Sequence, residues 1–432
     1  MKLISIYLFY MFKSLTPFSP FLVPFLIDTK KFKNKEIYNN LNIYFFISSL
    51  LISLVAFLIL RICDSRISLF LDTLLEFLGC CILYMMDERN FFLGKLCSIL
   101  HGSSTSLNSI LKSAIASSSG DNNLESKVLM NNITIIKCIA SVFSSWIGQD
   151  IFLRIKKYDF NLLINVSTLL VCLVLTMFIP QNNLKEVKKN SIISELSDNL
   201  ELFSNFKIIS NCLLNITANI LVICLAFFSA NIFIERRRVG YNRLNNVIFI
   251  IMAPFRYISI FLIKLYKILG GNPKESQDDV DTNKKEIVIH GYIDGISKIC
   301  SALICYFMGR INIQETSLYK YSFCVILLSI FSLFFLYLVS SLSLSYIFFT
   351  IAFALSSSAK IILYSSFSSL EYKNFIFSVN MFVSSFIHIF LSYLSIYRKA
   401  NIQQRFKYYI VTSILLMSFS LGLYCLNNFR KI

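Results

Sequence analysis

Residues 11–28 read MFKSLTPFSPFLVPFLID and hold Pro17, Pro20 and Pro24, three of the chain's six prolines. The segment lies within the first apolar stretch. A proline has no backbone N–H and frees the carbonyl four residues earlier. In hydrocarbon each freed group costs several kcal/mol unless protein or water satisfies it. A membrane helix broken this often belongs against a cavity or other helices, not against lipid. Thr16 and Ser19 add side-chain oxygens at the same level. Two readings stay open: a helix that lines a solute path, and a kink that serves packing alone.

The rest of the chain has the composition of a bundle built around this segment. It has 432 residues, 56% hydrophobic and only 15% charged, with a mean hydropathy of +0.66. A soluble chain of this length normally carries more charge. Thirteen apolar segments follow one another at about 3–27, 41–62, 67–86, 91–118, 129–153, 160–179, 207–234, 245–269, 290–312, 319–340, 343–368, 374–397 and 405–427. Most are long enough to span a bilayer, which takes about 18 or more apolar residues. The polar stretches 180–206 and 270–289 are too short to bury a core, so no soluble catalytic domain is expected.

The segment 245–269 is the odd one. It carries Pro254, Arg256, Lys264 and Lys267, and a cation at mid-helix is costly to insert. It is expected to lie at the interface or to be re-entrant. The alternative is that it spans in place of 207–234. Setting it aside leaves twelve spans in two halves: 1–180, a linker at 181–206, and 207–432. The Lys and Arg residues of the short loops divide almost evenly between the two sides, so the positive-inside rule leaves orientation undecided.

The net charge is +17. Its carriers sit in short loops such as Lys30, Lys31, Lys33 and Lys35, or Arg236, Arg237 and Arg238. Anionic lipid headgroups are the simpler partner than nucleic acid. The twelve cysteines are scattered and form no C-x-x-C pair, so neither a metal site nor a disulfide framework is expected. No cofactor motif is present. The apolar N-terminus lacks a cleavage pattern and is expected to stay as a helix.

Ionisable residues inside spans usually face the bundle interior or a water-filled path. Several lie on polar stripes at helical spacing. Thr105, Asn108, Ser109 and Lys112 share one face of the fourth span. Ser356, Ser357, Lys360 and Tyr364 share one in the tenth, and Ser384, Ser385, His388 and Ser392 one in the eleventh. Asp294 and Lys298 stand four apart, in the order that favours an ion pair. Lys137 lies mid-span in the fifth segment and Glu76 inside the third. The functional reading is a cavity with excess positive charge that favours an anionic solute. The competing reading has each lysine snorkelling to an interface or pairing within the bundle. His388 titrates near neutral pH if it is free to do so, which would suit a coupling proton. A histidine hydrogen-bonded to serines fits equally.

Five motifs resemble, in order, those of the reduced folate carrier family, which also contains thiamine transporters. Pro17-x-Ser19-Pro20-Phe21-Leu22-Val23-Pro24-Phe25 resembles its first-helix Arg-Pro-x-Glu-x-Phe-x-x-Pro-Tyr. Asp64 and Arg66 resemble its charged turn after the second helix. Ser144-Ser145-Trp146-Ile147-Gly148-Gln149 resembles the end of its fifth helix. Gly291-Tyr292-Ile293-Asp294-Gly295-Ile296-Ser297 resembles the opening of its eighth, and Val379-Asn380-Met381-Phe382 a motif of its eleventh.

The resemblance implies a major-facilitator-type, all-α membrane protein of twelve helices. It would carry a vitamin by alternating access, with a coupling proton or a counter-anion. The plasma membrane is the first expectation and an organellar membrane the alternative. The chain departs from the family where Thr16 and Ser19 replace the first-helix Arg and Glu. Thr105 stands near the charged fourth-helix position, and His388 stands for the eleventh-helix Lys. The expected solute-binding set is Thr16, Ser19, Thr105, Asn108, Lys112, Asp294, Lys298, Lys360 and His388. A scaffold or receptor derived from the family is the rival reading. A membrane-embedded lipid-modifying enzyme is a weaker one, because His101, His290 and His388 stand in no H-x4-D or D-x-x-D arrangement.

Overall fold

The computed structural model describes residues 2–62, 65–118, 123–155, 157–179, 202–236, 260, 290–310, 315–339, 341–367 and 373–429. The segment 245–269, apart from one residue, and most of the central linker lie outside the described residues.

The first apolar stretch is broken where its prolines put the break. Helix α1 (Lys2–Lys13) stops, a 3-10 turn follows at Ser19–Phe21 with Pro20 at its start, and α2 (Leu22–Asp28) resumes. Pro24 falls in the first turn of α2, where a missing N–H costs nothing. The freed backbone groups are satisfied by side chains of later helices. Ser141 Oγ donates to the Ser14 carbonyl at 3.3 Å, and Thr168 Oγ1 to the Leu15 carbonyl at 3.1 Å. Asn165 Oδ1 accepts from the Phe18 N–H at 3.3 Å. Hydrocarbon supplies no such partners, so the break has to sit inside the bundle.

A single turn (Asn34–Glu36) and a π-turn (Ile37–Leu41) lead into α3 (Asn42–Ile62). Then come α4 (Ser65–Met85), α5 (Phe91–Ser118), α6 (Asn123–Ile155) and α7 (Asp159–Thr176). After the linker follow α8 (Phe206–Arg236), α9 (His290–Arg310), α10 (Glu315–Leu338), α11 (Leu342–Phe367), α12 (Lys373–Tyr397) and α13 (Ile402–Phe429). Among the described residues there are, besides the short turns, thirteen helices and no strand. Eight of them, α3, α4, α6, α7, α8, α10, α12 and α13, include a segment long and apolar enough to cross a membrane. Helices α5 and α9 fall short of that because Ser, Asn, Asp and Lys interrupt them.

Polarity is distributed as a bilayer requires. Leu51, Leu54 and Val55 on α3, Leu170 and Val174 on α7, Phe331 and Phe335 on α10, and Leu415 and Phe419 on α13 are all exposed. Ser49, Asp72, Asn161, Asn215, Asn219, Ser356 and Asn380 are all buried. Apolar side chains lose nothing against lipid tails, whereas polar groups need protein or water. The chain is a multi-pass membrane protein.

In chain order the helices form a first set, α1–α7, before the linker and a second, α8–α13, after it. Within the first, α3 packs on α5, α4 on α5 and α7, and α1 on α6 and α7. Within the second, α8 packs on α13, α11 and α12, and α10 and α9 on α11. The groups meet along two main seams, α6 against α9 and α3 against α12.

Candidate functional site

Four residues apart on α4, Asp72 and Glu76 project from one face. Lys13, the last residue of α1 before the proline break, pairs with both: directly with Asp72, and with Glu76 at 3.5 Å. Ser104 Oγ donates to Asp72 Oδ1 at 2.7 Å and Asn108 Nδ2 to Asp72 Oδ2 at 3.1 Å, both from α5. The Lys13 and Asp72 side chains are 3% and 0% exposed, while Glu76 keeps 21%. A charge this deep is tolerated only with a partner and hydrogen bonds that complete its shell. Asp72 has both, and Glu76 is the member that keeps accessible surface.

One stripe of α6 joins this cluster to the second group of helices. Lys137, Ser141 and Ser145 recur every four residues. Lys137 Nζ lies 5.3 Å from the centre of the Tyr10 ring. Ser141 holds the Ser14 carbonyl at the end of α1. Ser145 Oγ donates to Asp294 Oδ2 at 2.8 Å on α9. Lys298 Nζ bonds the same Asp294 oxygen at 2.6 Å and Ser145 Oγ at 3.3 Å. The Lys298 and Asp294 side chains are 18% and 17% exposed.

The rest of that seam is close-packed. Gln149 Oε1 accepts from the Gly291 N–H at 3.0 Å, and Trp146 Nε1 donates to the Tyr292 carbonyl at 3.3 Å. Gly295 lies so near the Trp146 indole that a Cβ there would overlap it. The sequence stretches 144–149 and 291–297, far apart in the chain, thus meet each other.

The second seam carries a hydroxyl pair and a ring stack. Ser49 on α3 bonds Ser106 on α5 and, at 2.9 Å, Ser385 on α12. Next to it the His388 ring stacks on Phe46 at 4.5 Å, and its Nδ1 lies 3.1 Å from the Tyr409 hydroxyl of α13. His388 is fully buried and its Nε2 has no partner.

The residues singled out from sequence are distributed as follows. Thr16 is half-buried and Ser19 exposed, both on the proline break. Thr105 is exposed, its hydroxyl turned back to the His101 carbonyl. Asn108 belongs to the Asp72 cluster, Asp294 and Lys298 to the α6–α9 seam, and His388 to the α3–α12 seam. Lys360 is half-buried on α11. The Lys112 side chain lies outside the described residues. Sequence reasoning passes over Lys13 and Asp72, although two acids four apart within an apolar run are there to be read. Lys13 reads as a headgroup lysine until the break is seen to turn it inward.

No family model matches the sequence, and no curated protein matches it either. Solved structures do. The human organic anion transporter MFSD10 (TETRAN) superposes with a TM-score of 0.61 at 12% identity, over 97% of this chain and 98% of that one. A mutant of the nucleoside transporter NupG does so with 0.54 at 13% identity, over 98% and 99%. The fold is of the major-facilitator type. The α6–α9 and α3–α12 seams join helices that precede the linker to helices that follow it. The major-facilitator arrangement also accounts for the interrupted, polar helices α5 and α9, since they stand between other helices.

Proposed function

We propose that the chain is a secondary transporter that carries a water-soluble, vitamin-class solute by alternating access. Residues 1–180 and 207–432 are its moving halves and 181–206 the link between them. The major-facilitator fold and the interior ionisable cluster support the transport reading. The ordered motifs that resemble the folate and thiamine carriers support the vitamin class.

Of those two chemistries the charge distribution favours the cationic one, thiamine-class over folate-class. Glu76 carries this reading. Asp72 engages Lys13 directly, and Glu76, 3.5 Å from that lysine, keeps 21% of its side chain accessible. Lys298, a partly accessible cation at the α6–α9 seam, is already matched by Asp294. Lys13 and Asp72 add one charge of each sign, and Lys298 and Asp294 offset each other, so the cationic reading rests on the accessible Glu76 and not on the count of charges. Glu76 and Asn108 then face the solute, with Thr16, Ser19, Thr105, Lys112 and Lys360 along its route. Asp294, Lys298 and His388 act at the seams.

Uptake in a host lacking its own vitamin carriers tests this. Labelled thiamine should accumulate and labelled folate should not. Glu76→Gln should cut the rate roughly ten- to a hundredfold at an unchanged surface level, the loss of one charge-assisted contact worth ~1.5–3 kcal/mol. Folate entering in place of thiamine would reverse the charge argument. If neither label enters while the protein reaches the membrane, the vitamin reading fails.

A further inference from the structure

Asn211, Asn215 and Asn219 recur every four residues on α8 and share one face. All three are buried, Asn215 and Asn219 completely. Both amide atoms of Asn215 and of Asn219 have no hydrogen-bond partner, nor has the Asn211 oxygen. Asn380 of α12 is buried beside Cys212 of that same helix α8. Phe233 stands about four turns beyond Asn219 on that same side of α8. Its ring packs on Tyr346 and Phe349 of α11. The asparagine face is therefore turned toward α11, next to α12.

Buried carboxamides are ordinarily bonded, and one left without a partner in a membrane interior is expensive. A run of them on one face is what an unfilled polar site looks like. We infer that this asparagine ladder is a binding site for the neutral, hydrogen-bonding edge of a solute, of the amide or aminopyrimidine kind. The orphan atoms decide the chemistry. A metal or alkali cation satisfies the oxygens and leaves the Nδ2 donors unmet, and an anion does the reverse. A planar edge that donates and accepts side by side matches one carboxamide, and the next turn of the helix repeats the match. The inference deepens the transporter reading by naming the half of the molecule that reads the uncharged part of the solute. Its test is of binding alone, so it is separate from any uptake result.

The test uses the full-length, detergent-solubilised protein with 4-aminopyrimidine as probe and pyrimidine, which lacks the amino donor, as control. The wild-type melting temperature should rise by a few degrees with millimolar 4-aminopyrimidine and not with pyrimidine. Asn215→Leu and Asn219→Leu should each melt no lower than wild type without probe, because an unpaired amide is exchanged for an apolar group of the same size. Each should abolish the response to 4-aminopyrimidine. A variant that melts well below wild type overturns the inference, since the amides are then structural partners. So does a wild type indifferent to the probe, in which case the amides hold water alone. An equal response in wild type and variants overturns it too.

Discussion

Lys13→Met lowers the melting temperature of the detergent-solubilised protein steeply, and adding Asp72→Leu restores most of the loss. The single change leaves the Asp72 carboxylate 0% exposed with no counter-charge. Breaking a buried pair from one side costs about 3–5 kcal/mol. Replacing both partners by apolar groups of similar size is often neutral. Ser104 and Asn108 keep a neutral leucine at 72 from being ideal, since each loses its acceptor. The double variant should therefore recover well but incompletely. Uptake should stay low in both, because Glu76 no longer has the lysine that holds it in place. Thermal melting beside uptake reads the two effects separately. A single variant that melts with the wild type would show that this pair does not tie α1 to α4.

Of the described glycines, Gly102→Ala should be among the most damaging changes, and Gly422→Ala should be tolerated. A Cβ at Gly102 of α5 would overlap the Phe45 carbonyl oxygen and the Ser48 Oγ of α3. A rotating side chain relieves a clash, but a backbone carbonyl inside a helix does so only if the two helices move apart. Overpacking of this sort typically costs ~1–3 kcal/mol, occasionally more. Gly422 of α13 has nothing within 4 Å of the same position. There alanine should be neutral or add up to about 1 kcal/mol through helix propensity. Folded yield and melting temperature of the two variants, measured side by side, check both halves of the statement. Equal behaviour would mean that the α3–α5 contact is not close-packed.

The proline break shows how far the sequence can be read. Three prolines within one apolar run are enough to place the interruption and to require partners for the freed carbonyls. Which partners is not legible: Ser141, Asn165 and Thr168 lie far along the chain and look like ordinary polar residues of apolar helices. The Lys13–Asp72 pair stays hidden for the same reason. A lysine at a helix end and an aspartate one turn from a glutamate acquire meaning only when α1, α4 and α5 come together. The polar stripe on α5 is visible, yet its members divide. Asn108 turns to Asp72, whereas the Thr105 hydroxyl bonds its own helix. The helical period gives a face, and only tertiary packing says which edge of that face meets another charge. The sequence offers His388 as a proton carrier or a serine-bonded residue, and its one partnered nitrogen faces a tyrosine instead.

The two seams differ in how tightly they bind. Hydroxyl contacts such as Ser49–Ser385 are each worth roughly 0.5–1.5 kcal/mol net, and water replaces them at little loss. The α6–α9 boundary combines an indole, an amide, an ion pair and glycine-thin packing, which no solvent substitutes for. Under the proposed alternating access, the molecule would turn about its stronger margin and gape at its weaker one: a lopsided swing, with α6 and α9 as pivot and the serine side as the lip that parts.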